Sequence, residues 1–201
     1  MNLSILIPTV DSRKDQLREL TRHIYSQIVC LKAGDQIEVR INSDRGSLKG
    51  GMTTGKKRND LLSEARGEYC WFIDDDDWII DNALELVMTA INPFAGDKPD
   101  VIGINGWMTT DGGNKKEWEI RIGHPYTADY SKGYERYLRY PNHITPMKTA
   151  IARQIGFPMQ NNFEDKKFAD DLLKSGLLKT QVIITEPIYH YRFSHANKTY
   201  K

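Results

Sequence analysis

The chain has 201 residues, of which 39% are hydrophobic and 27% are charged. This balance excludes a disordered or collagen-like protein, and the length predicts a single domain with a core of its own. Because 28 basic residues face 27 acidic ones, the formal net charge is +1, and composition gives no general signal for nucleic-acid binding.

Neither the cysteines nor the apolar segments indicate secretion or a membrane. Cys30 and Cys70 form no metal-binding pair and no disulfide framework, which predicts a reduced, cytoplasmic setting. The opening apolar run ends at Pro8 and no basic residue precedes it, so it lacks the form of a signal peptide. No later run approaches the roughly 18 apolar residues of a membrane span, so we expect a soluble protein without a transmembrane segment. The sequence leaves the oligomeric state open.

The first half of the chain alternates short apolar runs with segments of helical periodicity. Strands are predicted at 3–7, 36–41, 68–73 and 100–105, and helices at 15–31, 56–65 and 81–91. This alternation predicts an α/β fold with a mostly parallel, Rossmann-like sheet flanked by helices. From residue 106 the pattern loosens: 108–140 reads as loops or a β-hairpin with a short helix, followed by a helix at 163–173 and a strand at 181–191.

Four consecutive aspartates, residues 74–77, directly follow the third predicted strand and are called the acidic run below. Loops at the carboxyl ends of parallel strands are where α/β folds bind ligands. Adjacent carboxylates repel one another, so a nearby cation is expected, and oxygen ligands suit Mg²⁺ or Mn²⁺. Asp74 and Asp76 would face the same way in an extended backbone. The alternative is a solvated acidic turn that caps the next helix.

A second motif competes for the phosphate-binding role. Residues 50–56 match G-x-x-x-x-G-K, the start of a P-loop, and Asp74 could then hold its Mg²⁺. However, Lys57 stands where that motif needs a hydroxyl, and Gly50 lies far beyond the preceding strand. A P-loop NTPase or small kinase therefore stays an alternative.

The order of motifs along the chain resembles the family 2 glycosyltransferases, which have the GT-A fold. Six segments carry the resemblance, in order ILIPTVDSR, EVRINSD, GKKRNDLLSEARGEY, WFIDDDD, NNFEDKKFADDLL and YHYRFSHANKTY. Together they extend from about residue 3 to residue 199. The chain departs from the family pattern at Val10 and Asp11, where an Asn is usual, and at Ser43, where a second aspartate is usual.

The resemblance implies a nucleotide-sugar donor, with a UDP-sugar as the first choice, lying along the strand ends. The donor-binding residues it implies are Pro8, Thr9, Asp11, Arg13, Asp44, Lys56, Arg58, Asn59, Asp74 and Asp75. Two of these groups could also have a purely structural role. Asp44 could form an ordinary Asx turn after its strand. The cations at 56–58 open a helix, where positive charge is unfavourable unless an anion such as a diphosphate binds there. The alternative is a solvated basic face.

The resemblance also implies a metal and a catalytic base. Mn²⁺ or Mg²⁺ would be held by Asp76 with Asp74, and His195, or else His190, would be a third ligand, while Asp77 would be a structural cap. Asp165, beside Glu164, would be the general base of an inverting, single in-line displacement. The alternative is that 164–165 is merely the acidic first turn of an amphipathic helix.

The acceptor is the least determined partner. The first expectation is a saccharide or lipid-linked glycan, contacted by Trp107, His143 and His190. The second is a 5-hydroxymethylpyrimidine in phage DNA, in the host cytoplasm, which a groove of basic residues would support: Lys49, Lys56, Lys57, Lys115 and Lys116. A non-catalytic nucleotide-sugar-binding or cation-binding module is the non-enzyme alternative. Residues 1–105 would form the donor-binding half, and 106–201 the acceptor and catalytic-base half, of one GT-A domain.

Overall fold

The computed structural model describes residues 1–46, 50–92, 96–133 and 135–195. In these ranges the strands are β1 (Leu3–Val10), β2 (Ile37–Asp44), β3 (Tyr69–Phe72), β4 (Trp78–Ile79), β5 (Val101–Thr110), β6 (Gly113–Ile120), β7 (Thr127–Asp129), β8 (Arg136–Arg139), β9 (Met147–Lys148) and β10 (Gln181–Phe193). The α-helices are α1 (Lys14–Cys30), α2 (Thr54–Glu64), α3 (Ala83–Ile91), α4 (Thr149–Ile155) and α5 (Glu164–Ser175).

The strands form one ten-stranded sheet in the order β2-β1-β3-β9-β5-β6-β8-β7, with β10 paired to β5 and β4. The long ladders β1–β2 and β5–β10 are parallel, and so is β1–β3, whereas β9 and β6 join in the antiparallel sense. The expected mostly parallel sheet with flanking helices is therefore confirmed.

The central strand β1 shows why the sheet is covered on both faces. Its residues from Leu3 to Thr9 are all buried, as expected for a parallel strand with helices on either side. Ile5 and Ile7 pack in an apolar cluster with residues of α1 and α3, whereas Leu6 packs in a second cluster with residues of α2, α4 and α5. Alternation along one strand thus divides the core into two layers.

Several expectations about local structure need correction. Strands β1 and β2, expected at 3–7 and 36–41, continue to Val10 and Asp44. The strand expected at 100–105 extends to Thr110, because it turns into an antiparallel hairpin with β6. The short helix expected within 108–140 is replaced, in the described part of that range, by β6, β7 and β8. No described helix has both the length and the apolar character needed to cross a membrane. Cys30 and Cys70 are both free thiols.

Glu38 on β2 is a buried ionised group that joins three parts of the fold. Its carboxylate accepts hydrogen bonds from the Ser4 hydroxyl on β1 at 2.6 Å, from Arg40 Nε at 3.0 Å, and from the Arg66 backbone N–H at 2.6 Å. Burial alone would raise its pKa, but these hydrogen bonds outweigh burial and lower the pKa of Glu38 from 4.5 to about 2.

We expect Glu38→Gln to remove part of the acid sensitivity of the fold. Because the folded-state pKa lies below the ordinary value, the carboxylate stabilises the fold above pH 4.5, and this stabilisation is lost as the pH falls towards 2. Between neutral pH and pH 2, the free energy of unfolding in urea should fall by up to roughly 3 kcal/mol more in the wild type than in the variant. Glu64→Gln, at a side chain that is 62% exposed, is the control. Equal acid slopes for wild type and Glu38→Gln would contradict the assignment.

Candidate active site

The carboxyl ends of β1, β2 and β3 meet at one edge of the sheet. Val10 at the end of β1 is in register with Asp44 at the end of β2. Asp11 follows β1, and its carboxylate accepts a hydrogen bond from the Ser43 hydroxyl at 2.7 Å. The acidic run begins two residues after β3 ends. Parallel pairing therefore brings three separate acidic segments of the sequence to the same edge.

A cavity of about 790 Å³ opens at this edge, a size in the range of small-molecule sites. It is lined by Asp11, Asp44, Arg45, Gly50, Gly51, Met52, Thr53, Lys56 and Met159. Three of the expected donor-binding residues, Asp11, Asp44 and Lys56, are therefore brought together. Pro8 lies buried within β1.

Asp44 organises the wall of this cavity. Its carboxylate accepts hydrogen bonds from the backbone N–H groups of Gly46 and Met52, and it forms an ion pair with Lys57 Nζ at 2.5 Å. Burial opposes ionisation, but these contacts outweigh it and lower the pKa of Asp44. The contact with Gly46 is an Asx turn, which was the structural alternative for this residue.

The three cations at the start of α2 have different surroundings. Lys56 lies at the cavity and pairs with Asp60 at 2.8 Å. Lys57 is buried, and its ammonium donates to the Thr9 carbonyl at 2.6 Å as well as pairing with Asp44. Only Lys56 of these three lines the described cavity, so the expectation of a solvated basic face or a shared phosphate site at 56–58 needs correction. Lys57, which stands where a P-loop needs a hydroxyl, thus bridges the ends of β1 and β2.

Arg58 is the third cation, and it lies inside the protein beneath the acidic run. Its side chain is 4% exposed, with Nη2 at 3.0 Å from Asp74 and 3.7 Å from Glu164. The guanidinium stands 5.5 Å from the ring centres of both Phe72 and Phe157. Although burial opposes the charge, Asp74 and Glu164 raise the pKa of Arg58. Arg58 joins the acidic run to the first turn of α5, and its contact with the donor stays a prediction.

Asn59, another predicted donor-binding residue, is hydrogen-bonded to the segment between α4 and α5. Its Nδ2 donates to the Phe157 carbonyl and its Oδ1 accepts from the Phe157 N–H, both at 2.8 Å. Nearby, the Gly55 N–H donates to the Gln160 carbonyl at 3.0 Å. An added Cβ at Gly55 would collide with the Pro158 carbonyl, so a glycine is required there. These contacts fasten the segment between α4 and α5 to the start of α2.

Asp75 is held by two residues that were expected to contact the donor. It is 3% exposed and accepts hydrogen bonds from the Thr9 hydroxyl at 2.5 Å and from Arg13 Nη1 at 2.7 Å. Burial outweighs these contacts and raises the pKa of Asp75. Thr9 and Arg13 therefore support the acidic run from β1 and the turn after it.

Asp77 anchors the late strand β10 and does not cap α3. It is 1% exposed and accepts hydrogen bonds from the Tyr189 hydroxyl at 2.7 Å and from the Arg192 backbone N–H at 2.8 Å. Helix α3 begins later, with Asn82 as its N-cap. Burial, together with repulsion from Asp74 and Asp76, raises the pKa of Asp77 well above its usual value.

Asp74 and Asp76 are the half-buried members of the acidic run. Burial alone would raise the pKa of Asp74, but Arg58 and His143 outweigh it and hold that pKa below its usual range. The His143 Nε2 lies 3.3 Å from Asp74. Asp76 lies 3.2 Å from Arg13, yet burial and repulsion from Asp74 and Asp75 raise its pKa to about 6.

The neighbouring carboxylates of the acidic run thus disfavour the charged form of Asp76, and a divalent cation would relieve this repulsion. No group of three His, Cys, Asp or Glu side chains in the described ranges is arranged to hold a metal by itself. Asp76 and Asp74 fit a cation that takes its remaining ligands from water or phosphate oxygens, as Mg²⁺ commonly does.

The histidines expected near the metal have other partners. His195 Nδ1 lies 2.5 Å from Asp111 at the tip of the β5–β6 hairpin. His190 lies 2.9 Å from the Thr109 hydroxyl and stacks on Trp107 with ring centres 4.9 Å apart. Trp107 and His190, both predicted to contact the acceptor, are thus neighbours. The third, His143, is buried against Asp74 and its Nδ1 has no partner among the described residues.

The two candidate catalytic carboxylates open α5. Glu164 is 5% exposed, and burial raises its pKa even though Arg58 is close. Asp165 is half-buried and is therefore the more accessible of the two. Its charge acts on both Arg58 and Tyr191, each of which is also influenced by Asp74 of the acidic run.

The lysines that could have formed a DNA-binding groove do not form one unpaired face in the described structure. Lys56 and Lys57 have carboxylate partners, Lys116 forms an ion pair with Glu135, and Lys115 lies 5.0 Å from the ring centre of Trp107. Lys49 lies outside the described residues.

Sequence reasoning missed Tyr189 and Tyr191. The residues on β10 were considered for their histidines, but Tyr189 contacts the acidic run directly. The signal was present: once 181–191 is a strand, alternation places the residues on either side of His190 on one face and His190 on the other.

Solved structures share this fold. The chain is 16% identical to the crystal structure of S. aureus TarS 1-349, with a TM-score of 0.60, covering 96% of this chain and 60% of that one. Structures of the same TarS fragment in complex with UDP and with UDP-GlcNAc are 18% and 15% identical, with TM-scores of 0.56 and 0.55. They cover 96% and 100% of this chain, and 61% and 62% of theirs. This chain thus spans about three fifths of the TarS fragment's length.

No curated protein matches the sequence. A family comparison does give a match: the family described as Glycosyl transferase family 2 matches residues 48–157, which is more than half of the chain and includes α2, the acidic run and β9. Together with a mostly parallel sheet of GT-A type, this match shows that the chain belongs to glycosyltransferase family 2.

Proposed function

We propose that this protein transfers a sugar from a nucleotide-sugar donor, a UDP-sugar, to a hydroxyl group of an acceptor. The observation that carries the proposal is the open cavity at the carboxyl ends of β1 and β2, at the same sheet edge as an acidic run of mutually repelling carboxylates. Membership of family 2 and the likeness to a TarS fragment solved with UDP and UDP-GlcNAc support it.

The cavity offers suitable groups for a nucleoside diphosphate. Asp11 and Asp44 present carboxylates that can accept hydrogen bonds from the base or ribose, and Lys56 presents a cation for the diphosphate. Asp76 and Asp74 would hold Mn²⁺ or Mg²⁺, in keeping with the common metal dependence of this family. When bound, the ion would neutralise negative charge on the departing diphosphate.

Asp165 is the proposed general base. It accepts the proton of the acceptor hydroxyl while that oxygen forms a bond to the anomeric carbon and the bond from this carbon to the diphosphate oxygen breaks. A single displacement from the side opposite the leaving group inverts the anomeric configuration. Glu164, buried against Arg58, positions Asp165 by fixing the first turn of α5.

For the acceptor we favour a saccharide or lipid-linked glycan over DNA, because three of the candidate lysines, Lys56, Lys57 and Lys116, are already paired with carboxylates of the protein. Trp107, His190 and His143 stay candidates for acceptor contacts. The division into a donor-binding half, 1–105, and an acceptor half, 106–201, is part of this proposal, as is a cytoplasmic location.

A thermal-shift assay with Mn²⁺ and a panel of UDP-, GDP- and ADP-sugars tests the proposal. A donor at about 100 times its Kd should raise the Tm by roughly 5–10 °C, because it binds only the folded state. Asp76→Asn should abolish the part of the shift that depends on Mn²⁺. The matched control is Asp81→Asn, whose carboxylate is fully exposed just beyond the acidic run.

The same assay separates the alternatives. Stabilisation by ATP with none by any nucleotide sugar would favour the NTPase. Stabilisation by a nucleotide sugar with no transfer to saccharide, lipid-linked or hydroxymethylated DNA acceptors would favour a binding module. A metal response that survives in Asp76→Asn would overturn the assignment of Asp76.

A further inference from the structure

Strand β10 is fastened to the acidic run on both sides of Tyr191. On one side, the Tyr189 hydroxyl donates to Asp77 at 2.7 Å and accepts from the Asp74 N–H at 3.3 Å. On the other side, the Arg192 N–H donates to Asp77 at 2.8 Å. Tyr189 and Tyr191 are two residues apart in an extended strand, so their side chains lie on the same face. Tyr191 is therefore held next to the acidic run.

The two tyrosines differ in exposure and in partners. Tyr189 is completely buried, whereas Tyr191 is 38% exposed. The Tyr189 hydroxyl bonds to Asp77, but the Tyr191 hydroxyl forms no hydrogen bond with any residue in the described ranges. Tyr191 thus presents at the surface of the site a phenol donor that none of these residues uses.

The charged groups around the Tyr191 hydroxyl belong to both parts of the site, the acidic run and the first turn of α5. Burial, followed by the charges of Asp77, Asp74, Asp76 and Asp165, raises the pKa of Tyr191. A phenol of ordinary pKa, about 10, carries its proton near neutral pH. The Tyr191 hydroxyl lies within electrostatic reach of both the acidic run and the candidate base on α5. This hydroxyl lies among carboxylates but forms a hydrogen bond with none of them in the described ranges. It can therefore donate a hydrogen bond to a ligand.

We propose that Tyr191 contacts the sugar that is transferred, with its hydroxyl donating a hydrogen bond to a sugar hydroxyl and its ring packing against the sugar. This inference rests on the proposed function, because it takes the acidic run as the diphosphate side and Asp165 as the acceptor side. The sugar must lie between these two sides during transfer, and Tyr191 is held beside the acidic run and within electrostatic reach of Asp165. The nucleoside part lies in the cavity, which Tyr191 does not line.

The test compares a nucleotide sugar with the nucleotide alone. Binding of UDP and of whichever of UDP-glucose, UDP-galactose and UDP-GlcNAc binds most tightly is measured by calorimetry with Mn²⁺. Tyr191→Phe should weaken the UDP-sugar about 2- to 10-fold, the range of one neutral hydrogen bond, and leave UDP unchanged. Tyr191→Ala should weaken the UDP-sugar further. Because the hydroxyl has no described partner, the Tm of Tyr191→Phe should equal that of the wild type.

Two variants serve as controls. Tyr25→Phe, at a tyrosine that is 51% exposed on α1, should change neither ligand. Tyr189→Phe should lower the Tm, because it removes one of the two hydrogen-bond donors that the buried Asp77 has among the described residues.

Unchanged UDP-sugar binding in Tyr191→Phe, or equal weakening of UDP and the UDP-sugar, would overturn the inference while leaving the proposed function intact. A wild-type protein that binds none of the UDP-sugars and no UDP would instead overturn the donor assignment, and this inference with it.

Discussion

Replacing Asp165 with asparagine should reduce sugar transfer by about 10²- to 10⁴-fold and leave nucleotide-sugar binding unchanged. Asparagine keeps the shape of the side chain but cannot take the proton of the acceptor hydroxyl. Asp165 is half-buried in the first turn of α5, outside the set of residues that line the cavity. The two effects are therefore separable: transfer is measured by release of UDP in the presence of acceptor, and donor binding by calorimetry.

The matched control for this experiment is Asp170→Asn, on the same helix. Asp170 pairs with Lys166 at 2.8 Å with its side chain 45% exposed, so its replacement should leave transfer unchanged. If Asp165→Asn transfers sugar at the wild-type rate, Asp165 is not the base. If it loses donor binding as well, its carboxylate belongs to the donor site.

Replacing Arg58 with methionine should lower the free energy of unfolding by about 3–5 kcal/mol. Methionine fills similar space between Phe72 and Phe157 but removes the only guanidinium that lies between the carboxylates of Asp74 and Glu164 in the described structure. Removing the guanidinium leaves the carboxylates of Asp74 and Glu164 without their counter-charge at a place where water cannot fully hydrate them. Urea unfolding monitored by tryptophan fluorescence measures the loss.

Lys56→Met is the control for Arg58→Met, because Lys56 stands two positions away on α2 with its side chain 47% exposed and paired to Asp60. Its effect on stability should be within about 1 kcal/mol. Arg58→Lys should recover part of the loss, since it restores a charge but not the fork of donors. Wild-type stability in Arg58→Met would refute the role of Arg58 as the link between the acidic run and α5.

The strands of the first half could be predicted because their signals are local. An apolar run predicts each of β1, β2 and β3, and parallel pairing then brings Asp11, Asp44 and the acidic run together, although β1 and β2 each end three residues later than predicted. Local periodicity likewise predicted the sheet class and the position of α5.

The directions of the cations on α2 could also have been predicted, from the periodicity of the helix. Leu61 and Leu62 are buried, and residues four positions earlier on a helix lie on the same face. Those residues are Lys57 and Arg58, both buried in the structure. A diphosphate was expected to balance these cations, whereas carboxylates of the protein already do.

The contacts of the late histidines could not be predicted from the sequence. His195 meets Asp111 across 84 positions of sequence, and His190 meets Thr109 across 81. No periodicity or spacing reports such contacts, because they depend on the register between β10 and β5.

The attachment of Asp77 to β10 has a consequence for how the protein is made. Tyr189 and Arg192 lie 112 and 115 positions after Asp77. A nascent chain that has left the ribosome only as far as α5 has neither donor, so the buried carboxylate of Asp77 lacks the groups that satisfy it. The acidic run therefore takes its final form only after β10 has been synthesised, and such late long-range closure makes folding slow compared with the local helices.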